Sequence, residues 1–325
     1  MSKTVKCYLT GICPRPDDLV EITRMYDRGL IKDDLLMRKF EESTDEIIKT
    51  QIEADLDYIV DGMLRWQDLL RPFLESLSGI EINGLSRWYN NNTFYRKPII
   101  RDKIEWKEDQ VLKVSYIEKL PKNKPWKIIL PGVYTLAKLS EDRYYHQFEL
   151  LVFDYALALK NELDTLSKTG FEYIQFSEPS LVYRPMEGPL SREELEIIKN
   201  AYETLTKNCS LRTCIHTFFG DLTSILPDLL DLPVDDIGFD LYEVNLEELL
   251  EYRTNKGIAI GAIDSRSSLI ENPREIADLV IRVTDALQCR HVFVCPNCDL
   301  EYLPWKRVKE KIRVLANVKT LLKGE

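Results

Sequence analysis

FEYIQFSEP (171–179), SREELEIIKNAYETLTK (191–207) and LRTCIHTFFG (211–220) follow one another along the chain. The first and third runs have apolar, β-rich centres, as strands buried on both faces do. The run between them has apolar residues at helical spacing. It opens on Ser191 with Glu194 three residues later, the signature of a capping box. Strand, helix and strand in so short a span form a crossover unit, which leads to a parallel sheet.

The same alternation extends in both directions. Further strand candidates are VKCYLTG (5–11), LDYIVDG (56–62), WKIILPG (126–132), DIGFDLYE (236–243), GIAIGAIDS (257–265) and RHVFVCPNC (290–298). Helical patterns lie between, among them DDLLMRKFEESTDEIIKTQIEADL (33–56) and HQFELLVFDYALALKNELDTLSK (146–168). Asn272-Pro273-Arg274-Glu275 opens another, with proline in its first turn. Eight such units in 325 residues suit one closed α/β barrel, a (β/α)8 TIM barrel spanning 1–325 as a single domain. One segment breaks the rhythm. Residues 81–118 read as a hairpin-like excursion inserted between the second and third strands, with Asn90-Asn91-Asn92 favouring its turn. Such an insertion projects over the mouth of the barrel. The basic, amphipathic tail from Pro304 reads as the closing helix.

Composition narrows the function. Hydrophobic residues make up 44% and charged residues 30%, enough for a sizeable core. A net charge of −10 argues against nucleic-acid and anionic-membrane partners, since little would neutralise phosphates. No apolar run approaches the roughly 20 residues of a bilayer span, and the N-terminus lacks the apolar stretch of a signal peptide. The expected compartment is the cytoplasm. Seven cysteines, an odd number, do not suggest a disulfide framework. Cys295-Pro-Asn-Cys298 is a lone C-x-x-C, with no second pair to complete a zinc knuckle.

Polar residues stand where the apolar runs stop. Asp61 ends the second strand, Glu178 the fourth, His216 the fifth, Asp240 the sixth and Asp264 the seventh, and Cys298 follows the eighth. In a barrel these positions meet at one mouth. Histidine, carboxylate and thiolate are all zinc ligands, which makes His216, Asp240 and Cys298 candidates for a metal site. Their spacing alone says nothing; only barrel closure would bring them together. A buried, satisfied histidine is the plain alternative for His216, and an internal ion pair is the alternative for Asp264-Ser265-Arg266.

Several motifs, in order, resemble the cobalamin-independent methionine synthase family, whose members carry two related barrels. Leu9-Thr10-Gly11-Ile12-Cys13-Pro14 is similar to the family's opening loop. Asp61-Gly62 with Arg65-Trp66 and Asp68 is similar to its loop after the second strand. Arg87 to Tyr95 (RWYNNNTFY) resembles a segment of the N-terminal barrel. Leu130-Pro131-Gly132-Val133-Tyr134-Thr135 resembles the loop after the third strand. Gln175-Phe176-Ser177-Glu178-Pro179-Ser180-Leu181 resembles a glutamine-isoleucine-aspartate-glutamate-proline-alanine-leucine motif. Pro296-Asn297-Cys298-Asp299-Leu300 resembles a proline-aspartate-cysteine-glycine-leucine motif.

The resemblance implies methyl transfer to the thiol of homocysteine from a donor such as a methylated folate. It implies a zinc ion that binds the sulfur and favours the thiolate. On that pattern His216, Asp240 (with Glu243 as fallback) and Cys298 match metal ligands. Asp61, Glu178 and Asp264 are candidates for the reacting site, the first two as partners of the substrate ammonium. Trp88, Tyr95 and Trp305 are candidates to flank a pterin, with ordinary packing as their alternative. The departures are specific. Phe218 stands at a family cysteine, Ser177 at an aspartate that binds homocysteine, and Met63 at a glutamate. Thr217 to Leu222 and Leu232-Pro233-Val234 look more like the metal-free N-terminal barrel. Three functions follow: a single-barrel thiol methyltransferase, an accessory barrel working with a separate catalytic barrel, or a relative using another donor such as a methylated corrinoid protein.

Overall fold

The computed structural model describes residues 4–324. Residues 1–3 and 325, which the expected 1–325 domain includes, lie outside the described residues. Parallel strands β1 (Thr4–Cys7), β4 (Trp126–Pro131), β6 (Phe171–Ser177), β7 (Arg212–His216), β8 (Asp236–Asp240), β9 (Gly257–Ile263) and β10 (His291–Pro296) form one curled sheet in the order β1-β10-β9-β8-β7-β6-β4. Strands β2 (Leu77–Arg87), β3 (Phe94–Trp106) and β5 (Glu141–Asp142) form a second, three-stranded sheet.

Seven of the eight expected strands are therefore present, most of them ending earlier than the apolar pattern suggested. The eighth, expected at 56–62, is reduced to one bridge between Ile59 and Trp126. That short segment still joins the two sheet edges. The Asp57 amide donates to Cys7 O (2.8 Å), the Ile59 amide to Pro125 O (3.0 Å), and the Lys127 amide to Ile59 O (3.0 Å). The strand stops because a side chain takes its next backbone groups. Gln51, fully buried on the helix Asp33–Glu53, accepts from the Val60 amide (3.1 Å) and donates to Val60 O (2.8 Å). Asp57 is also tied to the closing helix, Trp305–Lys323, through Lys319 (3.0 Å).

The helices form where expected. Arg192–Thr206 carries both capping-box bonds, Glu194 amide to Ser191 Oγ and Ser191 amide to Glu194 Oε2. Pro273–Leu287 is capped by Asn272, whose side chain accepts from the Arg274 amide. The excursion begins earlier than expected, because β2 starts at Leu77, and its strand portion ends at Trp106. Its turn falls at 88–93, closed by the Trp88 amide on Thr93 O (2.9 Å). The hairpin leans its base on the helix Phe148–Leu166 through Trp106 Nε1 and Glu162 (2.8 Å). Its tip reaches the C-terminal ends of β6 and β7, with Tyr89 Oη 2.6 Å from Ser180 Oγ.

Replacing Gln51 with leucine leaves the Val60 N–H and C=O buried without partners. The expected loss is on the order of 2 kcal/mol or more, read by urea unfolding. An unchanged midpoint would show that the 57–60 segment does not depend on this side chain.

Candidate active site at the barrel mouth

The polar strand ends meet around one residue, Asn297, which is fully buried just after β10. Its backbone carbonyl lies 2.9 Å from His216 Nε2. Its Nδ2 donates to Asp240 Oδ1 (3.0 Å) and, more weakly, to Asp264 Oδ1 (3.4 Å). Its Oδ1 accepts from the Ser265 amide (2.8 Å) and from the Cys298 thiol (3.5 Å). One residue thus joins the ends of β7, β8, β9 and β10, the first through its carbonyl and the others through its carboxamide. The alternation of apolar residues exposed the strand but not this role; a polar residue beside Cys298 was the available signal.

A carbonyl can only accept, so His216 carries its proton on Nε2. The ring is fully buried, and burial lowers its pKa to about 4. His216 is therefore neutral. Among the described residues its Nδ1 has no hydrogen-bond partner. That nitrogen packs over Gly238 of β8, where a Cβ would lie 2.2 Å from it. Glycine is required there because any side chain would collide with the ring.

Arg266 supplies the positive charge of the mouth. It pairs with Glu243 (2.8 Å), Asp240 (3.3 Å) and Asp264 (3.8 Å). Its guanidinium also lies 5.7 Å from the centre of the Phe219 ring. Burial pushes the Asp240 carboxyl up, while Arg266 and the Asn297 amide oppose that shift. Burial pushes the Cys298 thiol well up as well, so it rests as a thiol.

Aromatic side chains cover the polar cluster. Tyr89 lies 5.1 Å from Tyr183 and 5.8 Å from Phe219, ring centre to ring centre. Phe219 is 4.7 Å from Phe218 and 6.4 Å from Tyr302. Phe218 is itself 6.0 Å from His216. Trp88 and Tyr95 belong to this lid, 6.0 Å apart. Trp305 does not share it: its Nε1 donates to Glu46 (2.8 Å) on the helix Asp33–Glu53. Beside the lid is a cavity of about 700 Å³, with Cys13, Arg15, Trp66, Glu301 and Tyr302 in its wall. Burial and the neighbouring Asp299 raise Glu301 to about 8.

The remaining candidates are engaged in holding backbone. Asp61 accepts from the Met63 and Tyr116 amides, each at 2.9 Å. Glu178 is fully buried and accepts from the Tyr134 amide (3.0 Å), the Thr135 amide (2.7 Å) and Tyr202 Oη (2.8 Å). It thereby caps the helix Val133–Leu139 as an anion at a helix N-terminus. Gly132 makes that approach possible, since a Cβ there would lie 2.1 Å from the Glu178 carboxyl carbon.

A profile of the family described as "Cobalamin-independent synthase, Catalytic domain" matches residues 10–320. The chain belongs to that family. A methionine synthase of Saccharolobus islandicus is 30% identical over 312 residues, covering 93% of this chain and 90% of that one. A methionine synthase of Sulfurisphaera tokodaii is 28% identical over 310 residues, covering 93% and 88%. Among solved structures, a B12-independent methionine synthase from Shewanella sp. W3-18-1 in complex with selenomethionine superimposes with a TM-score of 0.80 at 18% identity, over 98% of this chain and 97% of that one. A putative vitamin-B12 independent methionine synthase from Listeria monocytogenes gives 0.78 at 17% identity, over 99% and 100%. At such identities the two structures share the fold.

Zinc, which the resemblance implies, asks for donors converging at about 2.0–2.3 Å. The side chains here do not offer that. His216 Nε2 is spent on the Asn297 carbonyl, and its free Nδ1 faces the β8 backbone. Asp240 is bonded on both oxygens, to the Tyr242 amide and Asn297 on Oδ1 and to Arg266 on Oδ2. The Phe218 ring stands 6.0 Å from that of His216, beside the imidazole, and offers no donor. Among the described residues no three His, Cys, Asp or Glu side chains are grouped to hold a metal ion. The donor set therefore does not fit zinc.

Two outcomes follow for the site. The folded pKa of His216 lies below the unfolded value of about 6.5, so its protonation favours the unfolded chain. Stability is full above pH 6.5 and falls as pH drops through about 4, by roughly 3 kcal/mol from this group. His216→Gln keeps an N–H donor but cannot titrate, and its stability should fall less over that range in unfolding curves from pH 7 to 4. An identical acid profile would assign the loss to other groups. Glu178→Gln turns one of the two accepting oxygens into an N–H donor that faces an amide N–H, and should cost about 1–3 kcal/mol, read as a lowered denaturation midpoint.

Proposed function

We propose that this chain is a thiol methyltransferase of the methionine synthase type, passing a methyl group from a methylated donor to the thiol of homocysteine. The observation that carries it is the match to the family's catalytic domain over residues 10–320, in a chain whose polar strand ends converge on one mouth. In the reaction the sulfur–carbon bond forms as the carbon–nitrogen bond of the methylated donor breaks; the electron pair stays on the donor nitrogen, which takes up a proton as the thiol gives one up. A guanidinium beside the acceptor favours the thiolate, and Arg266, the cation among the carboxylates of the mouth, is the residue proposed for that part. A methylated folate is the proposed donor, and the cavity of about 700 Å³ beside the lid is of a size that takes a small molecule. The zinc of the resemblance has no part in this proposal, because the donor set does not fit it. No described helix is long and apolar enough to cross a membrane, which suits a reaction between water-soluble substrates.

Phe218 and Ser177, at positions where the family's catalytic barrel has metal and substrate ligands, favour a second reading: an accessory barrel like the N-terminal half of the synthase. The assay that separates the two uses the full chain with homocysteine and, in turn, methyltetrahydrofolate, its triglutamate and methylcobalamin. Methionine should form with at least one donor, and Arg266→Met should slow it on the order of 100-fold. No methionine with any of the three would contradict the enzyme reading and favour the accessory one.

A further inference from the structure

We propose that Asn297 and Arg266 together hold the place that the family gives to zinc, so that the mouth of this barrel is organised by an amide and a guanidinium and takes no zinc. The inference deepens the reading of the mouth as the reacting site and rests on it.

The argument begins with charge. Asp240 is buried, and Glu243 and Asp264 are partly buried beside it. Carboxylates withdrawn from water need a positive partner. A divalent ion could be one. Here the partner is part of the chain, because Arg266 reaches all three carboxylates at 2.8–3.8 Å. The arginine is itself held in place: its amide donates to Asp264 Oδ1 (2.9 Å) and its guanidinium rests on Phe219. Geometry gives the second part. A metal also serves as a hub that fixes several strand ends relative to one another. Asn297 does this with its carbonyl and both ends of its carboxamide, reaching His216, Asp240, Asp264, Ser265 and Cys298. His216 Nε2, both Asp240 oxygens and the Cys298 thiol are thereby each bonded to this pair. Phe218 completes the change by filling with apolar surface the side of His216 where a thiolate would stand.

Arg266 is therefore a positioning residue that sets the charge of the mouth, and its removal has a signature beyond lost packing. The ionisable groups facing it are Asp240 and Glu243 after β8, Asp264 after β9 and Cys298 after β10. Burial already raises the Asp240 carboxyl, and Arg266→Met removes the counter-charge that opposes this shift, so Asp240 is raised further. Stability is then kept at low pH and lost as pH rises. The melting-temperature deficit against wild type should be larger at pH 8 than at pH 5, and Arg266→Lys should recover part of it. A deficit equal at both pH values would overturn the charge role.

The direct experiment equilibrates the full wild-type chain, His216→Ala and Cys298→Ser with zinc chloride. Free metal is removed by gel filtration and bound zinc is measured by mass spectrometry. The expected result is equal, substoichiometric zinc in all three, with no change in the wild-type melting temperature on adding a chelator. One zinc per chain, lost in either variant, would overturn the inference. The methyl-transfer assay run with chelator keeps the two proposals apart. Transfer that persists supports both. Transfer abolished by chelator and restored by zinc overturns this inference and leaves the methyltransferase reading standing. A zinc-free chain inactive with every donor overturns the methyltransferase reading and leaves this one.

Discussion

The carboxamide of Asn297 is the interaction on which the mouth of the barrel depends. Parallel strands end with polar residues that a packed interior cannot leave unpaired. In this chain four strand ends resolve that constraint at a single residue, three through its carboxamide and β7 through its backbone carbonyl, so their relative positions are fixed without an external ligand. Arg266 then offsets the carboxylates that the arrangement gathers. His216 is the exception, because one ring nitrogen stays unpaired above Gly238.

The same economy appears around the rim. Met63, Tyr89 and Phe219 adopt left-handed backbone, with φ of 55°, 50° and 71°. Such conformations are unfavourable for side chains of this size and persist where neighbours over-determine them. Met63 is held by the Asp61 carboxylate, Tyr89 by Ser180 and the ring of Tyr183, and Phe219 by Phe218 and Arg266. The hairpin that carries Tyr89 therefore does more than decorate the barrel. Its tip brings Tyr89 against Tyr183 and Phe219 above the polar cluster, in which His216 and Asp240 are buried.

Much of this was legible in the sequence. Apolar runs alternating with capped helices revealed the parallel sheet, and Asn90 to Asn92 placed the hairpin turn. The segment at 56–62 reads as a strand by composition, yet Gln51 captures the groups of Val60 that would extend the ladder; a tertiary bond overrode the local pattern. At the site, the strand-end positions of His216, Asp240, Asp264 and Cys298 were readable because barrel closure follows from the repeat. Their partners were not. Nothing in the spacing shows that the Asn297 carbonyl faces an imidazole, or that Asp61 and Glu178 accept from backbone amides. Trp305 was grouped with Trp88 and Tyr95 on residue type alone, whereas its helix turns it toward Glu46.

The measurement that tests this account most directly is the tautomer of His216. Long-range proton–nitrogen correlation spectra of the full chain, labelled with nitrogen-15, distinguish the two ring nitrogens. With the Asn297 carbonyl as the organising acceptor, His216 is neutral between pH 6 and 8 with its proton on Nε2, and its signals do not move when zinc chloride is added. A proton on Nδ1, or signals that shift on adding one equivalent of zinc, would contradict an amide-centred mouth.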